Sequence, residues 1–523
     1  MSASQEQVIE AMSDPALYPH CPASVQVVQT HISVVFLAGD LVYKIKKPLD
    51  LGFLDFTTLE KRLHFCRQEI ILNSRFSDGI YLGVASICRG PSGLNLDGAG
   101  EPVEAAVVMR RVPDDRIMLN MLDRDQVTPQ LLDRLSDRLA FFHSTAATGP
   151  QIAGFGSVAV VRQNVTENFE QTVPYIGRTI DGRAHQAISD LSLEFLASNE
   201  DLIKNRVKHG YVRDCHGDLH LDHVVITDSI MLIDCIEFND RFRYSDTAAD
   251  LAFLLMDLDF RGYPAFSRHI AERYAESSRD RQVLQILNFY QGYRAFVRGK
   301  VNSFTLDEPE VSQSEKEIAT QTARDYFRLS LSYMAPRPAV ALIVVCGLIG
   351  TGKSFLAAKL GTRLGIAPIQ SDIVRKTIHS LAPDEHRLDK YGEGIYTSGA
   401  TEQTYQALLE AARRRLAEGK SVILDATFMR FDDRVRAREL AVRHNATFRL
   451  IECVAPEEVI QQRLERRIKQ SNEPSDGRWE LFPAHKAGFE PIRQEEFSDH
   501  LVWDSTTEPH RFLAPFVREL FLS

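Results

Sequence analysis

The chain has no long apolar run, no paired-cysteine motif and no excess of basic residues. Its longest apolar run of interest, residues 340–345, is far short of the roughly 20 residues that a helix needs to cross a bilayer, and it leads into a glycine loop. The seven cysteines (21, 66, 88, 215, 235, 346 and 453) form an odd set without a C-x-x-C pair. That argues against a disulfide framework or a zinc knuckle and fits a reducing compartment. The opening residues show no basic stretch followed by an apolar core, so no secretory signal is read and a cytoplasmic location is expected. A net charge of −10 argues against a general binder of nucleic acid or membrane surfaces. No repeat or low-complexity tract is seen. What is present is ordinary for a globular chain, 44% hydrophobic and 25% charged. Its 523 residues exceed one core, so at least two domains are expected.

Residues 30–48 read as two strands joined by a turn at Ala38, Gly39 and Asp40. A helix is expected over 59–76, and strands over 81–87 and 105–110. From 130 onward the pattern is mainly helical, with Val283, Leu287, Tyr290, Tyr293 and Val297 at helical spacing. Ser312 and Glu315 form a capping box that opens a further helix reaching about Met334. The Ala-Pro-Arg-Pro break at 335–338 marks the expected boundary, giving domains 1–335 and 336–523. The second half alternates strand and helix (341–346, 354–364, 421–424, 433–443, 448–454), the order of an α/β domain with a parallel sheet.

Residues 347–354 read GLIGTGKS, a complete G-x-x-x-x-G-K-S loop between an apolar strand and a helix. Gly347, Gly350 and Gly352, with Thr351 among them, let the backbone wrap phosphates with its N–H groups pointing inward. Lys353 supplies charge for the β/γ phosphates and Ser354 a hydroxyl for magnesium. The strand beginning at Val422 ends in Asp425, as a Walker-B carboxylate would. QSDIVRK follows one helix after the loop, at 370–376. This half, over about 340–491, resembles the P-loop kinases of small molecules and polynucleotides, including gluconate-kinase-like and zeta-toxin-like proteins. The resemblance implies that Asp372 activates the acceptor hydroxyl and that Arg375 grips the acceptor. It also makes RLERRIK at 463–469 an arginine-bearing lid, with Arg463, Arg466 and Arg467 at hand. It leaves the substrate open.

A second signature lies in the first half. HGDLHLDH at 216–223 is followed by LIDCIEF at 232–238. These segments resemble the aminoglycoside phosphotransferase family, which has a protein-kinase-like α+β fold. The resemblance implies that Asp218 is the catalytic base, that Asp234 binds magnesium and that Asp250 braces the catalytic loop. It also assigns Lys44 to the α/β phosphates and Glu69 as its ion-pair partner. His216 is read as support for the catalytic loop, and His220 as polar surface or loop scaffolding. Two departures stand out. His223 occupies the position of the family's asparagine, the second metal ligand, with Asp222 and Glu237 the carboxylates that could compensate. No G-x-G-x-x-G loop is present in 30–40. The whole chain therefore resembles bacterial fusions of these two kinase types. That implies an enzyme using ATP and Mg2+ to phosphorylate a hydroxyl of a small molecule, chiefly through the P-loop half. The alternatives are an N-terminal module that regulates without chemistry, and an ATPase switch.

Overall fold

The computed structural model describes residues 4–522, apart from 92, 310, 336–339, 383–391, 469–476 and 494–496. The chain divides into two compact units, Met1–Asp257 with Ser267–Met334, and Leu258–Phe266 with Ala335–Ser523. The proline break at 336–338 lies outside the described residues.

The first unit opens with a six-stranded antiparallel sheet in the spatial order Val25–Gln29, Ser33–Ala38, Leu41–Lys46, Glu101–Arg110, Tyr81–Gly90 and Gly93–Leu96. The turn expected at 38–40 is present, with Gly39 at φ +64°. Alternation along Leu41–Lys46 puts Val42, Lys44 and Lys46 on one face. The opposite-facing Tyr43 and Ile45 join a core with Val34, Phe36 and Ala106. The helix Leu59–Asn73 packs beside this sheet, carrying Glu69 with no solvent exposure. The rest of the unit is mainly helical. Its last helix, Gln313–Met334, starts at the expected capping box. Glu315 N–H donates to Ser312 Oγ (3.3 Å) and Ser312 N–H donates to Glu315 Oε2 (3.0 Å). The helix Gln5–Met12 and the edge strand Val25–Gln29 were not foreseen.

The second unit is a five-stranded parallel sheet in the order Ile369–Gln370, Val422–Asp425, Ala341–Cys346, Thr447–Val454 and His500–Asp504. Every residue of Ala341–Cys346 is fully buried, because core clusters cover both faces of the sheet. That is why this strand reads as an unbroken apolar run rather than an alternation. Asp425 stands level with both Val345 and Gln370, so three strands end at one height. The glycine loop and the segment carrying Asp372 both leave the sheet there. The fifth strand, His500–Asp504, lay outside the elements read from the sequence. No described helix is long and apolar enough to cross a membrane.

Candidate active sites

In the second unit the loop before the helix Lys353–Leu364 takes left-handed or open backbone at its three glycines. Gly347 has φ +128°, and a Cβ there would sit 2.4 Å from the Cys453 carbonyl oxygen, so only glycine fits. Lys353 Nζ and Thr351 Oγ1 both donate to the Leu348 carbonyl, at 2.8 and 2.7 Å. Burial lowers the Lys353 pKa, and the charges of Asp425 and Asp372 act against that fall. Burial raises the Asp425 pKa, while Lys353 and a hydrogen bond from Ser354 pull it down. Lys353, Ser354, Asp425 and Asp372 therefore share one electrostatic neighbourhood at the sheet's carboxyl edge. Ser354 and Asp425 offer oxygen donors, which fit magnesium.

The two arginines sit differently. Arg375 is buried. Its Nη1 donates to the Ile395 carbonyl (2.9 Å) and Thr401 Oγ1 (3.3 Å), and its guanidinium lies 4.8 Å from the centre of the Tyr396 ring. Arg463 donates to Ser505 Oγ (2.6 Å) and to the Ser505 carbonyl (2.8 Å). Ser505 in turn backs the loop at Gly352. Arg466 is exposed, and Lys469 lies outside the described residues. The helix Glu457–Ile468 covers the loop through Ile460 and Leu464, which pack on Ile349 and Phe482. His485, on the following short helix, was missed by the sequence reading. Burial holds its pKa down at about 4, and the charges of Lys353 and Arg375 add to this. Its signal was weak, one histidine in an aromatic segment.

In the first unit the HGD segment is bent by Gly217 at φ +86° and held by Asp250, which accepts from His216 N–H (3.0 Å) and Gly217 N–H (2.8 Å). His143 also contacts Asp250, and it keeps that buried carboxyl ionised, with a pKa of about 2, against the cost of burial. His216 Nε2–H donates to the Ile233 carbonyl (2.8 Å), and burial holds its pKa at about 4. Both residues brace the loop.

Lys44 Nζ bonds Asp234 Oδ1 at 2.5 Å and Glu69 Oε1 at 3.0 Å. Lys46, to which the sequence reading gave no role, bonds Glu69 Oε2 at 2.7 Å and also bonds Glu237. The signal for it was a second lysine two residues on, hence on the same strand face. Burial works against every charge in this cluster. The lysine charges nevertheless hold the Glu69 and Asp234 carboxyls below their usual range. Asp234 adopts φ +61°, unusual for a residue with a side chain, and its N–H donates to the Tyr81 hydroxyl (3.0 Å).

Asp218 and Asp234 flank His223. The imidazole lies 3.7 Å from Asp218 Oδ2 through Nδ1 and 3.6 Å from Asp234 Oδ2 through Nε2. His220 lies 3.6 Å from Asp218 and 3.5 Å from Asp222. These contacts overcome burial and push its pKa up to about 10. Asp222 is thus turned toward His220, and Glu237 is engaged by Lys46. Neither completes an oxygen-only set around Asp234, so this site does not fit magnesium as the glycine-loop site does.

Two family models match the chain: a phosphotransferase enzyme family over residues 86–287 and an AAA domain over 342–492. The protein is thus of phosphotransferase type, with a kinase-like domain followed by a P-loop domain. It belongs to the same family as the uncharacterized protein Rv2004c of Mycobacterium tuberculosis, with which it is 33% identical over 441 residues, 84% of this chain and 86% of the relative. The uncharacterized protein Mb2027c of Mycobacterium bovis matches to the same extent. Among solved structures, a choline/ethanolamine kinase family protein from Mesorhizobium loti is 12% identical with a TM-score of 0.37, covering 63% of this chain and 99% of its own. A gluconokinase from Sinorhizobium meliloti is 17% identical with a TM-score of 0.25, covering 35% and 97%.

Proposed function

We propose that the P-loop half transfers the γ-phosphoryl group of ATP to a hydroxyl of a small molecule. The observation that carries this reading is the convergence of Lys353, Ser354, Asp425 and Asp372 where three parallel strands end together. Lys353 and the loop N–H groups position the phosphates, and Ser354 with Asp425 would hold magnesium, which neutralises charge on the transferred group. Asp372 takes the proton of the acceptor hydroxyl. The acceptor oxygen then bonds to the γ-phosphorus as the bond to the β–γ bridging oxygen breaks and ADP leaves. Arg375 shapes the acceptor wall through Tyr396, and Arg463 steadies the loop's outer edge through Ser505.

The first unit supports a second phosphoryl-transfer site, with Asp218 as base and Lys44, held by Glu69, for the phosphates. A regulatory reading of this unit draws on His223 in place of the expected asparagine. The test is transfer from γ-labelled ATP into a pooled metabolite extract by wild type, Lys353→Ala and Asp218→Ala. A labelled product lost only in Lys353→Ala supports the P-loop kinase with an accessory first unit. Separate products lost in separate variants support two enzymes. Loss only in Asp218→Ala would move the main activity to the first unit, and ATP hydrolysis without any labelled product would leave an ATPase switch.

A further inference from the structure

Among the described residues, two groups of three His, Cys or Asp side chains come close enough to share one metal ion. The first, His143, Cys215 and Asp250, is already used. Asp250 accepts two backbone N–H groups and contacts His143, whose other nitrogen meets the Tyr274 hydroxyl at 2.7 Å. The second, Asp218, His220 and His223, opens onto Asp234.

His223 is set up as a ligand. Its Nδ1 lies 2.8 Å from the Asp218 carbonyl oxygen, which can only accept, so Nδ1 carries the hydrogen. This is the arrangement by which metal-binding histidines are usually oriented, one nitrogen tied to a carbonyl and the other left as a lone pair. Nε2 then faces Asp234 Oδ2 at 3.6 Å, beyond hydrogen-bonding range. Asp234 is fixed in that pose from three sides: Lys44 holds Oδ1, Tyr81 holds the backbone N–H, and the backbone is left-handed. A nitrogen and a carboxylate oxygen that share a cation at about 2.1 Å stand roughly 3.4 Å apart across a tetrahedral edge and about 3.0 Å across an octahedral one. The observed spacing is closer to the tetrahedral value. Magnesium wants octahedral oxygen, whereas zinc, cobalt and related ions accept imidazole with carboxylate.

We propose that the first unit binds a borderline divalent cation of the zinc or cobalt type in preference to magnesium, with His223 Nε2 and Asp234 Oδ2 as ligands and Asp218 flanking them. The role of the ion beside a nucleotide rests on the reading of this unit as a phosphoryl-transfer site. Its binding does not, and the test is made without nucleotide.

Full-length protein is titrated with Co2+ and followed by visible absorption, in wild type, His223→Asn, Asp234→Asn and Asp425→Asn, with circular dichroism to confirm folding. The expected result is one cobalt per chain with a visible band of tetrahedral strength that survives a large excess of Mg2+. Affinity should fall at least about tenfold in His223→Asn and Asp234→Asn and stay unchanged in Asp425→Asn. Ready displacement of cobalt by Mg2+ in wild type would overturn the proposal without relying on any variant. So would unchanged binding in folded His223→Asn, or a near-ultraviolet sulfur-to-cobalt band, which would place the ion on a thiolate such as Cys215. Phosphoryl transfer lost in Asp218→Ala while cobalt binding fails would separate this inference from the reading of the unit as an enzyme.

Discussion

Lys46 Nζ lies 2.7 Å from Glu69 Oε2, and both side chains are sealed from solvent. The same carboxylate receives Lys44 on its other oxygen, so one glutamate is shared by two lysines from one strand face. Lys46 also pairs with the buried carboxylate of Glu237. Lys44 reaches outward to Asp234, whose side chain is partly open to solvent.

The two lysines should therefore separate stability from nucleotide binding. Lys46→Met strands the buried carboxylate of Glu237 and leaves Glu69 to Lys44 alone, and is expected to cost about 3–5 kcal/mol in the first unit. Lys44→Met leaves Glu69 still paired, so it should cost distinctly less stability but more nucleotide affinity. Both tryptophans, Trp479 and Trp503, lie in the second unit, so their fluorescence follows that unit alone. Urea unfolding followed by circular dichroism, with tryptophan fluorescence as the internal control, reads the difference. Equal losses from the two variants would sink the argument.

Much of this was legible beforehand because it is local. The glycine loop, the capping box at Ser312 and the HGD segment are each spelled by residues within a few positions of one another in the sequence. The paired clusters were not legible in full. Lys46 and Glu237 meet across 191 positions, and Glu69 gave no sign that it would serve two lysines. The strand His500–Asp504 was missed because its register against Thr447–Val454 depends on the finished sheet. The resemblance to P-loop kinases implied a clamp at Arg375, but its stacking on Tyr396 depends on how the later turn Gly394–Tyr396 comes back over the helix.

Stability of the first unit should peak near pH 6.5. His216 titrates at about 4 in the fold against 6.5 for the free side chain, because it is buried. Between those values the unfolded chain binds the extra proton, so stability rises with pH, by about 3 kcal/mol in all at about 1.4 kcal/mol per unit. His220 has the opposite sign. Its folded pKa is about 10, so its contribution is complete below 6.5 and is lost as pH rises toward 10. Unfolding free energies across this range should form a dome. His216→Asn should flatten the acid limb and His220→Asn the alkaline one, and an acid limb unchanged in His216→Asn would contradict the assignment.

Gly347→Ala should abolish nucleotide binding in the second unit while leaving the first unit folded. The new methyl would meet a backbone carbonyl of the neighbouring strand, which cannot turn aside as a flexible side chain could. The loop must move instead, and its N–H groups lose their common focus. Gly352→Ala is a graded comparison, since the nearest atom there is the Ser505 Cβ at 3.3 Å, although φ +94° still strains it. Calorimetric titration with a non-hydrolysable ATP analogue, in a Lys44→Met background that weakens binding by the first unit, should show loss for Gly347→Ala and a smaller weakening for Gly352→Ala. Equal affinity of Gly347→Ala and the parent would show that the loop tolerates displacement.

Arg375 offers the sharpest test of acceptor recognition in the P-loop half. Its guanidinium is engaged by the Ile395 carbonyl, Thr401 and the Tyr396 face, so it acts as a planar brace rather than a loose charge. A lysine keeps the charge but can neither stack flat nor fork between two oxygens. Arg375→Lys is therefore expected to raise KM for the acceptor at least about tenfold, worth about 1.4 kcal/mol, with kcat for ATP turnover changed little. Asp372→Asn should do the reverse, cutting kcat by roughly 100-fold or more while KM for the acceptor moves little, because it removes the group that takes the proton. Steady-state kinetics on the labelled product from the extract provide both numbers. If Arg375→Lys lowers kcat as Asp372→Asn does, the arginine acts on the transferred phosphoryl group itself and its place on the acceptor wall is secondary.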